Sequence, residues 1–237
     1  MNEKDLYRMI DEREQTIALA YPALMRKVYL WMTLALTITG FAAYWAAESF
    51  AFKNFMMEHS WVMFALFIAE LALVFTISGR IEKLSLNTAT ALFGIYSVLN
   101  GLTLSPILLV YTGSSVAKVF FITAGTFAAM AFVGYTTKRD LSGLGRIAIM
   151  ALIGLIIASV VNLFIRSTGF ELILSYIGVL LFVGLTAYDA QKIKIMLAQC
   201  DEPNEEAHKI ALLGSLSLYL DFVNLFIYLL RIFGNRE

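Results

Sequence analysis

The sequence predicts an all-α integral membrane protein of seven transmembrane helices, with the last helix central in the bundle. Three observations predict it. Hydrophobic residues make up 59% of the 237-residue chain and charged residues 15%, against roughly 25% charged residues in soluble domains; mean hydropathy is +0.75. Apolar runs recur along the whole length, each near the ~20 residues that cross a hydrocarbon core. The final run also carries an ordered polar stripe, which suits protein neighbours better than lipid.

A polar N-terminal segment, residues 1–25, precedes a single membrane domain over 26–234. The first 20 residues mix acidic and basic side chains instead of running from basic to apolar, so no cleavable signal is expected. The spans fall at 27–48, 60–79, 88–111, 117–136, 146–165, 170–191 and 211–232. The second carries Glu70 among Leu66, Phe67, Leu73 and Val74, and Arg80 follows it. In the third, Ser97, Gly101 and Ser105 have the small-xxx-small spacing that lets backbones approach. Pro106 is expected to kink its outer end. Asn100, and Asn162 in the fifth span, are expected to hydrogen-bond between helices.

The sixth span carries Asp189 just before Gln191 and Lys192. A polar connection over 192–209 follows, with Lys192, Lys194, Asp201, Glu202, Glu205, Glu206 and Lys209 around Pro203. In the last span Gly214, Ser217, Asp221, Asn224 and Tyr228 recur every three or four residues and share one face. Its apolar residues each contribute only about −0.3 to −0.6 kcal/mol, whereas a central acid costs about 3 kcal/mol. Such a helix inserts at close to zero net free energy and belongs among the others.

Basic residues set the direction. With the N-terminus inside, thirteen lysines and arginines lie on the inner side and five on the outer, so the N-terminus is expected in the cytoplasm. A re-entrant last segment would move Arg231 and Arg236 inward as well, so both courses remain open at this level.

Several function classes drop out. Net charge is +0, which gives no field for nucleic acid. The single Cys200 permits no internal disulfide and has no metal-ligand spacing. Retinal needs a buried lysine, and the last span has none. An intramembrane protease needs an acid pair or a Ser–His arrangement. His59 and His208 read as loop residues, which leaves only Asp189 and Asp221 as a paper dyad. The chain is not expected to be an enzyme or to hold a cofactor.

What remains is three carboxylates, Glu70, Asp189 and Asp221, with no Lys or Arg in mid-span to neutralise them. Intramembrane acids are rare, face the interior, and mark ion or proton paths. If Asp189 and Asp221 meet, which takes helix tilt or an early helix start, they share a proton and titrate as a pair. The same oxygens suit a hard cation such as calcium, bound weakly. Arg80 either snorkels to the interface or folds back onto Asp189 as a latch.

The segments LTAYDAQKIK at 185–194 and LYLDFVNLFIYLLRIFG at 218–234 resemble the hallmark regions of the Bax inhibitor-1 family. Its multi-span members include pH-sensitive calcium-leak proteins. NGLTLSPI at 100–107 and TTKRDLSGLG at 136–145 fit in the same order, and the resemblance covers roughly 25–234. It implies that Asp189 and Asp221 are the family's paired aspartates, Glu70 its acid on the second span, and Arg80 the nearest counterpart of its latch arginine. It also implies a pH-sensitive calcium leak, with protons, calcium and the bilayer as partners. The short tail, Gly234 to Glu237, points to a bacterial plasma (inner) membrane. The rival reading is a modulator of a membrane protease or other membrane partner, without flux, working through the N-terminal segment and the acidic 201–206 loop.

Overall fold

A computed structural model describes residues 3–59, 61–200 and 204–235, with side chains described from Pro22 onward. Helices run through the described residues in the order α1 (Glu3–Glu48), α2 (Phe50–Glu58), α3 (Trp61–Arg80), α4 (Leu86–Leu104), α5 (Ile107–Val110), α6 (Gly113–Thr136), α7 (Ser142–Ile165), α8 (Thr168–Ala198) and α9 (Glu205–Phe233). Among the described residues there is no strand. Seven stretches are long and apolar enough to span a membrane: α1 from Pro22, α3, α4 with α5, α6, α7, α8 and α9. This is the expected all-α membrane architecture.

α9 is the most deeply buried span and α7 the least. α9 packs against α8, α1, α6 and α4, whereas α3 packs along α4 and α7 along α8. The outward faces of the peripheral spans are apolar, with Phe64 and Phe75 on α3 and Ile153 and Phe164 on α7 exposed, as helices facing lipid require. Two close approaches depend on glycine. A Cβ on Gly134 of α6 would run into the Ala187 carbonyl of α8, and one on Gly101 of α4 would lie 2.5 Å from the Thr39 carbonyl of α1. Gly101 belongs to the small-residue stripe that also includes Ser97, and that stripe packs on α1.

Several details depart from the sequence reading. Pro106 interrupts α4 rather than kinking it: the helix stops at Leu104 and α5 restarts one residue past the proline. A proline has no N–H to continue the ladder. The 192–209 connection is mostly helix. α8 continues to Ala198 because Ile193 and Leu197 bury one face, and α9 starts at Glu205 under the Asn204 cap, whose side chain accepts the Ala207 N–H. His208 therefore lies in a helix. Asp201, Glu202 and Pro203 of the expected acidic loop fall outside the described residues, as do the side chains of the polar N-terminal segment up to residue 21. Asn162 does not bridge two spans in mid-membrane. Its Oδ1 accepts the Ser167 N–H at 3.2 Å across the α7–α8 turn, where Arg166 adopts the left-handed φ of 54°.

The last helix is continuous from Glu205 to Phe233 and long enough to cross. Beyond it the Asn235 carbonyl accepts the Thr112 N–H at 3.1 Å, and the Asn235 N–H donates to Ser115 Oγ at 2.9 Å. That end of α9 therefore sits beside the α5–α6 connection. At its other end, Glu205 Oε1 accepts the Leu86 N–H at 3.2 Å, and Lys27 Nζ lies 3.0 Å from His208 Nε2.

Candidate functional site

The α8–α9 register brings the two aspartates together. Gly214 of α9 lies against Ile193 of α8, and Gly178 of α8 against the Tyr228 ring. These two contacts place Asp221 level with about residue 186, so Asp189 is offset by only about 4–5 Å along the axis at 1.5 Å per residue. The early start of α9 supplies this register. Asp189 is the charged group in electrostatic reach of Asp221, and Lys192 is the one in reach of Asp189. Asp221 is 4% exposed. Its Oδ2 is buried without a hydrogen-bond partner among the described residues. The stripe of Gly214, Asp221 and Tyr228 is thus the face that α9 turns to α8.

Next to this pair α8 holds the α6–α7 connection. Gln191 Oε1 accepts the Leu141 N–H at 2.9 Å, and Gln191 Nε2 donates to the Arg139 carbonyl at 2.8 Å. Lys194 Nζ donates to the Tyr135 carbonyl at 2.7 Å. Outside the membrane, hydrogen bonds from the side chain and backbone of Ser142 hold the Asp140 carboxyl below the usual carboxylate range.

Glu70 belongs to a second, separate site. It is 8% exposed on α3. Its carboxylate accepts the Asn100 amide at 3.1 Å and the Thr103 hydroxyl at 2.6 Å, both on α4. Asn100 Oδ1 accepts the Tyr219 hydroxyl of α9 at 2.8 Å. Tyr219 has one hydroxyl hydrogen and gives it to Asn100. Thr39 of α1 is therefore the donor in its 2.7 Å contact with Tyr219, its hydrogen shared with the Ser97 carbonyl at 2.9 Å. From Tyr219 through Asn100 the donors point toward Glu70, which as a carboxylate only accepts. The expectation that Glu70 takes partners from another span is met, and Asn100 does bridge helices.

Tyr219 and Asp221 are two residues apart, about 200° around the helix. α9 therefore stands between the Glu70 site and the Asp189–Asp221 site. Among the described residues no group of three or more His, Cys, Asp and Glu comes together. A cation at the aspartate pair would meet two carboxylates with water, the donor set of a weak calcium site.

Arg80 is exposed at the end of α3. Among the described residues it forms no ion pair with Asp189, and its helix packs along α4. Tyr219, Thr39 and Thr103 were missed in the sequence. The available signal was Tyr219 itself, a mid-span hydroxyl that needs a partner once buried.

The family model for inhibitors of apoptosis-promoting Bax1 matches residues 22–237. The inner membrane protein YbhL of Escherichia coli is 51% identical over 214 residues, covering 90% of this chain and 92% of that one. A Borreliella burgdorferi protein is 45% identical over 213 residues, covering 90% and 92%. A membrane protein of Streptococcus pyogenes is 40% identical over 215 residues, covering 89% and 92%. With the family model matched over nearly the whole chain and relatives this close, the chain belongs to the Bax inhibitor-1 family.

Proposed function

We propose that this integral membrane protein is a pH-sensitive calcium leak of a bacterial inner membrane, N-terminus in the cytoplasm, gated by Asp189 and Asp221 sharing a proton. It works without catalysis or a resident cofactor, and calcium is its cargo. One observation carries the reading: the buried, unpartnered Asp221 Oδ2, with Asp189 the charged group in its reach. Two carboxylates in one water-poor site cannot both stay ionised at little cost, so a proton resides on the pair until the pH rises far enough to remove it. Losing it adds a charge beside a cation path, which is how a change in pH becomes a change in flux. Glu70, on the other side of α9, supports ion passage as a fixed carboxylate held by Asn100 and Thr103. The reading rests on the three acids and leaves Arg80 aside.

The test is calcium flux into proteoliposomes holding the purified full-length chain, from about pH 5 to pH 8. Flux that changes across this range in wild type, and not in Asp189→Asn, supports the leak. Calcium-impermeant vesicles at every pH would overturn it and favour the flux-free modulator of a membrane partner.

A further inference from the structure

Between α1 and α6 the bundle leaves an apolar trough of about 650 Å³ whose floor includes Phe222 of α9. α1 and α6 both pack on α9 rather than on each other, which keeps the trough open to the bilayer. Along α1 it runs from Tyr29 to Tyr44, about 22 Å at 1.5 Å per residue. An apolar trough of this length, open between two spans, offers a bed for a hydrocarbon chain. The length exceeds the ~15 Å of hydrocarbon in one leaflet, so the trough takes a whole acyl chain.

The two ends differ in charge. Arg26, one turn before Tyr29 on the same face of α1, is exposed. Tyr135 of α6, one turn past the trough-lining Ala131, lies in electrostatic reach of Tyr29. Lys194 of α8 holds its ammonium 5.0 Å from the Tyr135 ring centre and bonds the Tyr135 carbonyl. Among the described residues neither Arg26 nor Lys194 pairs with a carboxylate. At the far end, one turn past Tyr44, stands Glu48. Basic groups beside a slot between spans favour an anionic lipid headgroup, and Glu48 disfavours one at the opposite mouth.

We propose that the trough is a lipid site in which one acyl chain of an anionic phospholipid lies between α1 and α6, its phosphate at the Arg26–Lys194 end. Gly40 keeps the slot open, since a Cβ there meets nothing within 4 Å; a larger side chain intrudes on the lipid and not on the protein. The proposal stands independently of calcium flux.

The test uses the purified full-length chain, equilibrated with vesicles of mixed phosphatidylglycerol and phosphatidylethanolamine, extracted into mild detergent and read by native mass spectrometry. Wild type is expected to retain one phosphatidylglycerol in preference to phosphatidylethanolamine. Arg26→Gln combined with Lys194→Gln should weaken phosphatidylglycerol retention about twenty-fivefold, roughly fivefold per cation, and leave phosphatidylethanolamine unchanged. Gly40→Leu and Ala128→Leu, on opposite walls, should each lose both lipids; thermal melts confirm that they fold, and either one suffices if the other does not. Equal retention of the two lipids by wild type, wild-type retention by the charge variant, or wild-type retention by a folded wall variant would each overturn the site.

Discussion

Tyr219 of α9 gives its phenolic hydrogen to Asn100 Oδ1 of α4 over 2.8 Å, and so fixes which way the Asn100 amide faces. With its oxygen committed to Tyr219, Asn100 presents its NH2 to Glu70. Tyr219→Phe keeps the edge-on ring contacts with Phe93 and Tyr96 and removes only the hydroxyl. A loss of about 1–2 kcal/mol is expected, the range for a buried hydrogen bond whose partners are left unpaired. Denaturation in detergent reads it, and an unchanged midpoint would make the relay energetically idle.

Glu70→Gln tests the far end of the same chain. An amide there can still bond Asn100 and Thr103 after one rotation, so the fold should survive while calcium flux falls. Flux equal to wild type over a range of calcium concentrations would reduce Glu70 to a structural group.

The aspartate variants should differ from each other. Asp189→Asn is expected to abolish the pH dependence of flux. Asp221→Asn should move the response to lower pH, because no like charge remains to keep a proton on the pair. Coinciding profiles for wild type and both variants, in proteoliposomes, would sink the pair as a sensor.

Asp140 supplies the control. Its folded pKa lies below its unfolded one because of the Ser142 hydrogen bonds. The ionised form therefore stabilises the α6–α7 connection above the ordinary carboxylate value of about 4, and that contribution is lost as pH falls through the folded value. It does not titrate where the flux response is sought. Asp140→Asn should keep the wild-type profile from about pH 5 to pH 8; a shifted midpoint would assign the response to the loop that Gln191 clamps.

Cysteines placed at 217 and 224 should react poorly with a lipid-soluble label in membranes, while one at Phe121, 74% exposed on α6, reacts well. Strong labelling at both α9 positions would remove that helix from the interior.

The spans and the acids were readable because hydropathy and the cost of an intramembrane charge act on each residue by itself. The face shared by Gly214, Asp221 and Tyr228 was readable as well, since helical period alone puts them together. The length of α8 and α9 was not, because Lys192, Lys194, Glu205 and Lys209 look like loop until Ile193, Leu197, Ala207 and Ala211 are seen packed. Tyr219 was hidden for a related reason. Its role depends on Asn100 and Thr39, 119 and 180 residues away in the chain, and no local pattern records that distance. Arg80 was placed by its position in the chain, which did not record that α3 packs along α4.

α9 follows the other spans in the chain, and it is the most buried of them, packed on α8, α1, α6 and α4. During synthesis the six earlier helices must wait in the bilayer with Asn100 and Thr39 lacking their Tyr219 partner. The helix they wait for has little drive of its own to leave the insertion machinery. Packing on α8, α1, α6 and α4, more than its own hydrophobicity, is what favours its entry, which makes the docking of α9 a late step of assembly. A chain arrested before that step is an open shell with polar groups turned toward lipid, the kind of unfinished product that membrane quality control can distinguish from the completed bundle.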